Sequence, residues 1–391
     1  MTQPAGCSCP CTAALFWAAS YLTTPICKTR ESFYLIQVTD LLYPNTAKAS
    51  RIARKIALFL GIIGWAILAI PTAALGVILR FAATCLQRRK HFIRYRGIEG
   101  GSSLPKDRKL TILSWNICAR PAGYSLTTGG VTPWKDRIDA IVRKIKDLNP
   151  SVVCLYEVFD PLCGFYLRKK LSESGYGDIH FHMGPKSIGL SSGMFFASKY
   201  RVKYFTFTEF PRDTLVGRTK FIGKGFFIAD LVHAEDQTCF STVCATDLQD
   251  SESVSDPEPE ELTSRMEQLS LVMEKINRIR ERVVVLSGNF NCERREVARI
   301  QELAQQTGEC DLIETTSKKI LDTPSRTGNR FCTTLMGKKE SEPANLDYVF
   351  ILSHKQDKIE TAFVETGFNS EKFLPDALSN RLGLLSTITV A

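Results

Sequence analysis

The sequence predicts a layered α/β domain preceded by a membrane-length apolar segment, and three observations carry that prediction. Four short apolar runs each stop at a polar side chain: LSWN ending at Asn116, CLYEVF around Glu157, VVVLSGNFN from Val283 to Asn291, and LDYVF around Asp347. Buried strands read this way when they deliver functional groups to one edge of a sheet. Between the first two runs lies a helical pattern, which gives the strand-helix-strand order of an α/β layer. The charge, finally, is unevenly divided. Of 391 residues, the first hundred hold twelve of the 50 Lys and Arg but three of the 41 Asp and Glu, which accounts for the whole formal charge of +9.

The strand-rich remainder is neutral, and that argues against nucleic acid as a partner. Phosphate backbones are gripped by a surplus of Lys and Arg. No such surplus exists beyond residue 100, and DSESVSDPEPEE, Asp250 to Glu261, reads as a solvated acidic loop that would repel a polyanion.

Taken in order, residues 1–50 form a Cys-containing segment. ALFWAASYLTTPIC, Ala14 to Cys27, is apolar but short and broken by Pro25, so it is expected in a membrane interface or packed on the span that follows. Cys7, Cys9 and Cys11 form a CSCPC cluster with no second ligand pair at a workable spacing, and acylation has no strict motif, so an incidental reduced cluster is the reading. Residues 51–96 hold a membrane-embedded segment with basic flanks. Ile56 to Leu79 carries no charge, and at ~1.5 Å per residue such a helix crosses a hydrocarbon core of about 30 Å. Arg51, Arg54 and Lys55 precede it, while Arg80, Arg88, Arg89, Lys90, Arg94 and Arg96 follow, a bias that puts the next domain on the cytoplasmic side. Pro71 with Gly61, Gly64 and Gly76 leaves a re-entrant hairpin open as an alternative, and a buried core helix is another.

A Gly-, Ser- and Pro-containing linker occupies residues 97–107, and the folded domain is expected over 108–391. Lys109 to Asn116 is a strand. Pro133 to Leu148 is a helix with Ile138, Ile141, Val142 and Ile145 on one face and Thr132 as N-cap; Ser151 to Glu157 is the next strand. GMFFASKY, KYFTFTEF, KGFFIADLV and CFSTVCATDL alternate with turn residues between Ser192 and Leu248 and make a second cluster of strands. Leu262, Met266, Leu269, Val272, Ile276 and Ile279 place a core-facing helix over Glu261 to Arg282. Cys154, Cys239 and Cys244 lie in apolar strand contexts and read as buried thiols of a reducing compartment.

The chemistry sits at the strand ends. Glu157, then Asn289 and Asn291 spaced by one residue, then Asp347 are the kind of oxygen ligands that a Mg²⁺ phosphodiesterase uses, and such a site also needs a His to act on phosphate oxygens. A fifth segment, LSNRLGLLSTITV from Leu378, closes the series. In order and spacing these motifs resemble the endonuclease/exonuclease/phosphatase superfamily, the group of DNase I, inositol-polyphosphate 5-phosphatases and neutral sphingomyelinases. The neutral sphingomyelinases are the nearest flavour, through SSGMFFASKYRV from Ser191, KGFFIADL from Lys224 and TDLQDSES from Thr246. This resemblance covers about residues 108–391 and implies a DNase I-like four-layer sandwich, two packed mixed β-sheets flanked by helices. It further implies Mg²⁺ as cofactor, Asn116 and Glu157 as its metal-proximal Asn and metal-binding Glu, and Asn291 and Asp347 as matching site residues.

Four other positions depart from the pattern. The family's Gly-Asp-Phe-Asn is Gly288-Asn289-Phe290-Asn291 here, its Thr-His-Leu is Thr246-Asp247-Leu248, and its Ser-Asp-His is Ser379-Asn380-Arg381. Asn289 and Asn380 remove two negative charges, so Mg²⁺ binding is expected to be weakened or lost. Arg381 stays protonated; it can grip a phosphate, or pair with Asp347, but cannot relay a proton. The histidines, His91, His180, His182, His233 and His354, all fall outside these motifs; His354 follows the LDYVF strand and is the candidate to approach the mouth of the site. Two readings result. One is a membrane-anchored pseudoenzyme that binds a phosphorylated ligand, a membrane lipid or a small molecule; the alternative is a divergent Mg²⁺-dependent phosphodiesterase of sphingomyelinase-like, phospholipase C type, working with Glu157, Asn291, Asp347 and an unconventional proton donor.

Overall fold

Apolar strands whose two faces are both hydrophobic need a layer on each side, and the chain supplies it by stacking two sheets between helices. The computed structural model describes residues 10–86, 92–97, 109–120, 124–125, 129–130, 133–185, 189–251, 257–279, 283–292, 296, 302, 311–314, 347–353, 359–364, 367–368, 376–377, 379 and 383–389. Three helices come first: α1 (Pro10–Leu22), α2 (Thr24–Leu42) and α3 (Lys48–Leu86). The strands and helices that follow are β1 (Ile93–Arg96), β2 (Lys109–Asn116), β3 (Tyr124–Ser125), β4 (Gly129–Gly130), α4 (Trp134–Leu148), β5 (Val152–Tyr156), α5 (Pro161–Ser172), β6 (Asp178–Phe181), β7 (Phe195–Ser198), β8 (Arg201–Glu209), β9 (Gly225–Val232), β10 (Cys239–Asp247), α6 (Pro259–Ile276), β11 (Val283–Asn289), β12 (Asp311–Glu314), β13 (Asp347–Ser353), β14 (Ile359–Val364), β15 (Gly367–Phe368), β16 (Asp376–Ala377) and β17 (Gly383–Thr389).

One sheet has seven strands in the order β1-β6-β7-β5-β2-β17-β14, the other six in the order β12-β13-β11-β10-β9-β8. Each contains one parallel pair, β2 with β5 and β10 with β11, and its other pairings are antiparallel. Their inner faces share a core that includes Ile112, Cys154, Phe196, Phe227, Val285 and Val349. Outside the first sheet, α4 and α5 bury Ile138, Ile141, Ile145 and Leu167; outside the second, α6 buries Leu269, Val272 and Ile276. Each such side chain contributes about 1.5–3 kcal/mol on burial. The arrangement is the DNase I-like sandwich that the strand motifs imply, helices on sheet on sheet on helix.

Several sequence expectations shift in detail. Strand β1 lies upstream of the linker, so the first sheet begins before residue 108. Its Arg94 and Arg96, counted with the membrane flank, lie 3.1 and 3.3 Å from the buried carboxylate of Asp178 and serve the fold. Pro133, not Thr132, occupies the cap position of α4, and Thr132 lies outside the described residues. Helix α6 starts at Pro259 because Glu258 and Glu261 form a capping box, and it stops at Asn277 rather than reaching Arg282. Among the buried thiols, Cys154 and Cys244 are enclosed while Cys239 is half-buried.

At the N-terminus, α1 and α2 run antiparallel to α3. Asp40 meets Lys55 at 2.6 Å and Arg51 at 3.6 Å near the turn, and Thr23 meets Gly76 farther along. A Cβ on Gly76 would stand 3.0 Å from Thr23 Cγ2 and 3.1 Å from Ala19 O, so the two helices approach through a glycine. Helix α3 continues through Pro71; the chain reverses at residues 43–47 and not within the apolar run. That helix is long and apolar enough to cross a membrane. Phe16 of α1 and Ala83 of α3 join the core outside the first sheet, which docks the base of the hairpin on the domain.

Candidate functional site

The parallel register of β2 and β5 puts Asn116 beside Tyr156, and Glu157 follows at the strand end. Glu157 has φ +58, a left-handed conformation that turns its carboxylate back over the sheet edge. Gly193 makes this possible. At φ +72, any Cβ there would lie 2.7 Å from Phe159 Cε1 and 3.1 Å from Glu157 Cα. Both carboxylate oxygens are engaged: Asn116 Nδ2 donates to Oε1 at 2.8 Å, and Arg120 Nε donates to Oε2 at 2.7 Å. The loop that carries Arg120 is fixed at its root. Asn116 Oδ1 accepts from the Cys118 amide at 3.0 Å, and the fully buried Arg137 of α4 donates to the Ile117 and Cys118 carbonyls, each at 2.9 Å.

The second sheet supplies a row of three residues. Asn289 of β11 pairs with Asp247 of β10 on one side and with Asp347 of β13 on the other. All three are buried, and Asn289 Nδ2 donates to Asp247 Oδ1 at 3.0 Å. Among the described residues no donor reaches the buried Asn289 Oδ1. Lys224, just before β9, reaches into this row: its Nζ lies 3.1 Å from Asp247 Oδ1 and 2.6 Å from Asp250 Oδ1, and it donates to Leu248 O at 2.5 Å. Asn291, at φ +53, donates to Leu248 O at 2.9 Å and Asp250 Oδ1 at 3.1 Å.

Burial and charge set the protonation of these groups. Burial holds the Asp247 carboxyl well above the usual carboxylate range against the pull of Lys224, and Asp250 and Glu157 add to the rise. Burial alone would lower Lys224, but Asp247 and Asp250 outweigh it and keep the ammonium charged. Glu157 raises the already high pKa of Arg120.

The two halves meet across the core, where Tyr156 and Ser287 share a hydrogen bond of 3.0 Å. Ser379 Oγ donates to Asn116 O at 2.5 Å, which brings the fifth segment to the same edge. The structure thus gathers Asn116 with Glu157, and Asp247 with Asn289, Asn291 and Asp347. Asn380, Arg381 and His354 lie outside the described residues, as does His91. His180 and His182 are buried on or beside β6, and His233 follows β9 at the end remote from Asp247.

Sequence reasoning missed Arg120, Lys224, Asp250 and Arg137 as site-building residues. A signal existed for three of them: Arg120 stands four residues after Asn116, Lys224 abuts a strand, and Asp250 opens the acidic loop. What no pattern reveals is that each finds its partner across the sheet edge.

A divalent cation needs several carboxylate or carbonyl oxygens turned towards it. Here Glu157 is bound by an amide and a guanidinium, Asp247 and Asp250 share one ammonium, and the central position of the row is a neutral amide. Among the described residues no three His, Cys, Asp or Glu side chains cluster as ligands. In this arrangement Glu157, Asp247 and Asp250 are turned towards cations of the chain itself rather than towards a common ion. What they form is two salt-linked networks, one per sheet, at a shared edge.

No protein-family model and no curated protein sequence matches the chain. Solved structures do. A variant of beta toxin from Staphylococcus aureus with bound magnesium ions aligns at TM-score 0.54 and 16% identity over 71% of this chain and 99% of that one. Sphingomyelinase C from Streptomyces griseocarneus aligns at TM-score 0.56 and 16% identity over 71% and 99%. An endonuclease/exonuclease/phosphatase family protein from Bacteroides thetaiotaomicron aligns at 0.51 and 13% over 72% and 97%. The chain therefore has the fold of these proteins, the fold that the strand-end motifs imply.

Proposed function

We propose that this protein is a membrane-associated, catalytically impaired relative of the Mg²⁺ phosphodiesterases, retained to bind a phosphorylated ligand rather than to hydrolyse one. The observation that carries this reading is the saturation of Glu157. Its oxygens accept from Asn116 and Arg120 at 2.8 and 2.7 Å, so an internal cation occupies the place that a metal-binding carboxylate would offer. Asp247 in place of a His, and Asn289 in place of an Asp, support it further. A phosphate at this edge would meet Arg120, a third exposed, and by the sequence pattern Arg381.

Membrane association rests on α3, whose large apolar side chains face outward; Ile70 is 77% exposed. With Arg94 and Arg96 taken up by Asp178, the charge bias for a cytoplasmic domain rests on Arg80, Arg88, Arg89 and Lys90 against Arg51, Arg54 and Lys55. The enclosed, free thiols of Cys154, Cys163 and Cys244 suit that compartment.

The second reading, a divergent Mg²⁺-dependent phosphodiesterase of sphingomyelinase-like type, is favoured by the retained Asn116, Glu157, Asn291 and Asp347 and by the magnesium in the beta toxin structure. Turnover separates the two. The full chain is offered sphingomyelin vesicles, phosphoinositides and a nucleic acid in turn, with Mg²⁺ or with EDTA. We expect no metal-dependent hydrolysis; hydrolysis that needs Mg²⁺ and vanishes in Glu157→Ala establishes the second reading instead.

A further inference from the structure

We propose that the protein forms a two-fold symmetric dimer in which β8, an edge of the second sheet, pairs antiparallel with β8 of a second copy. Four strands end the two sheets: β1 and β12 with four residues each, β14 with six and β8 with nine. Short edges offer another strand little to pair with, so β8 is the long template among them. Among the described residues it pairs with β9 alone.

The start of β8 is closed by the first sheet. The Val202 amide donates to Asp178 Oδ2 at 3.1 Å, the Val202 carbonyl accepts from Arg96 Nη2 at 2.6 Å, and the register against β9 slips by one residue at Lys203. Beyond that bulge no such cap is present among the described residues. The Phe210 amide donates to Lys224 O at 2.9 Å, which sets the phase of the strand. Backbone groups of Tyr204, Thr206 and Thr208 therefore point at β9, and those of Phe205 and Phe207 point out from the edge.

The open stretch is complementary to itself. Residues 203–209 read Lys-Tyr-Phe-Thr-Phe-Thr-Glu, a pattern nearly symmetric about Thr206. With the two-fold axis at Thr206, Lys203 faces Glu209 of the second copy, Tyr204 faces Thr208, Phe205 faces Phe207, and Thr206 faces itself. These are opposite-charge, aromatic with β-branched, aromatic with aromatic, and Thr with Thr pairs, the kinds that stabilise a sheet across neighbouring strands. An isologous interface makes each of the first three pairs twice. The same axis joins Phe205 and Phe207 as a hydrogen-bonded pair, through the backbone groups that point outward.

Side-chain exposure agrees with a covered edge. In the described part of the sandwich, Tyr204 and Phe221 are the large apolar side chains left exposed, Tyr204 at 54%. The chain does not cover that face itself: Lys275 and Ile279 form the far wall of a groove of about 350 Å³ that separates α6 from Tyr204, Thr206 and Thr208. Phe205 and Phe207 turn the other way, into the core between the sheets, so pairing leaves that core in place.

The test is sedimentation of the full chain in detergent over a range of protein concentration. A monomer-dimer equilibrium is expected. Lys203→Glu and Glu209→Lys each set like charges opposite one another twice per dimer and should raise its Kd about tenfold, and the two changes together should restore it. Thr206→Cys gives a second readout, because its two thiols meet on the axis: mild oxidation should link the dimer beyond any linkage in the unaltered protein or in Thr208→Cys. A monomer at every concentration, a dimer indifferent to the single reversals or not restored by the double one, or linkage as strong in Thr208→Cys as in Thr206→Cys overturns the proposal.

Discussion

Arg120 Nε stands 2.7 Å from Glu157 Oε2, so the carboxylate at the end of β5 is closed by a cation from the loop after β2. This pair decides how the edge is read. A half-buried guanidinium bonded to a buried carboxylate satisfies the charge without a metal, and Arg137 keeps the loop in the position where it can do so.

Replacing Arg120 by Ala leaves Glu157 short of one charge-assisted donor. The side chain of Arg120 is 34% exposed, so solvent screens part of the interaction. We expect a loss of about 1 kcal/mol in urea unfolding, and a smaller loss for Arg120→Lys, which keeps the charge but not the fork.

Lys224 is a more costly residue to lose. Its side chain is 1% exposed and bridges Asp247 and Asp250. Lys224→Met leaves the buried Asp247 without its cation, so the carboxyl takes up a proton instead, and is expected to cost ~1–3 kcal/mol. Adding Asp247→Asn to it should recover part of that loss, because the amide is neutral without taking up a proton; a double-mutant cycle by denaturant unfolding measures the coupling.

Acid should weaken the fold through two histidines. Burial lowers His180 to about 4 and His182 to about 3, from an ordinary value of 6.5. Both are neutral when folded and take up a proton first in the unfolded chain, so stability is intact above pH 6.5 and falls as pH drops towards 4 and 3. Every tenfold difference in proton affinity between the folded and unfolded chain is worth ~1.4 kcal/mol. Asn suits the left-handed φ of +53 at position 182 and does not titrate, so His182→Asn should flatten the acid limb of a stability-versus-pH curve.

Gly76 carries the helix contact of the hairpin. In Gly76→Leu the new side chain enters space already taken by Thr23 and Ala19, so α1 and α3 must separate. Faster proteolysis within residues 10–42, with the sheets still protected, is the expected readout.

How much of this was legible beforehand depends on the range of the interactions involved. The strand ends Asn116, Glu157, Asn289 and Asp347 could be read because an apolar run that stops at a polar residue is local. Strand β1 could not, since IRYR looks like a basic flank until Asp178 appears opposite it. Nor could the Arg120 and Lys224 contacts, whose acids lie 37 and 23 or 26 positions along the chain. Composition flagged α3, but the apolar residues of α2 are spread around the helix without a helical period, so nothing local announces that it packs along α3.

If Glu157 belongs to Arg120 and not to a metal, Mg²⁺ cannot take the Glu157 carboxylate at the end of β5. Titrating Mg²⁺ into the full chain by calorimetry tests this most directly, with Arg120→Ala and Glu157→Ala alongside. We expect no binding to the unaltered protein at millimolar Mg²⁺, and measurable binding once Arg120→Ala frees the carboxylate. Saturable binding to the unaltered protein that disappears in Glu157→Ala would contradict it.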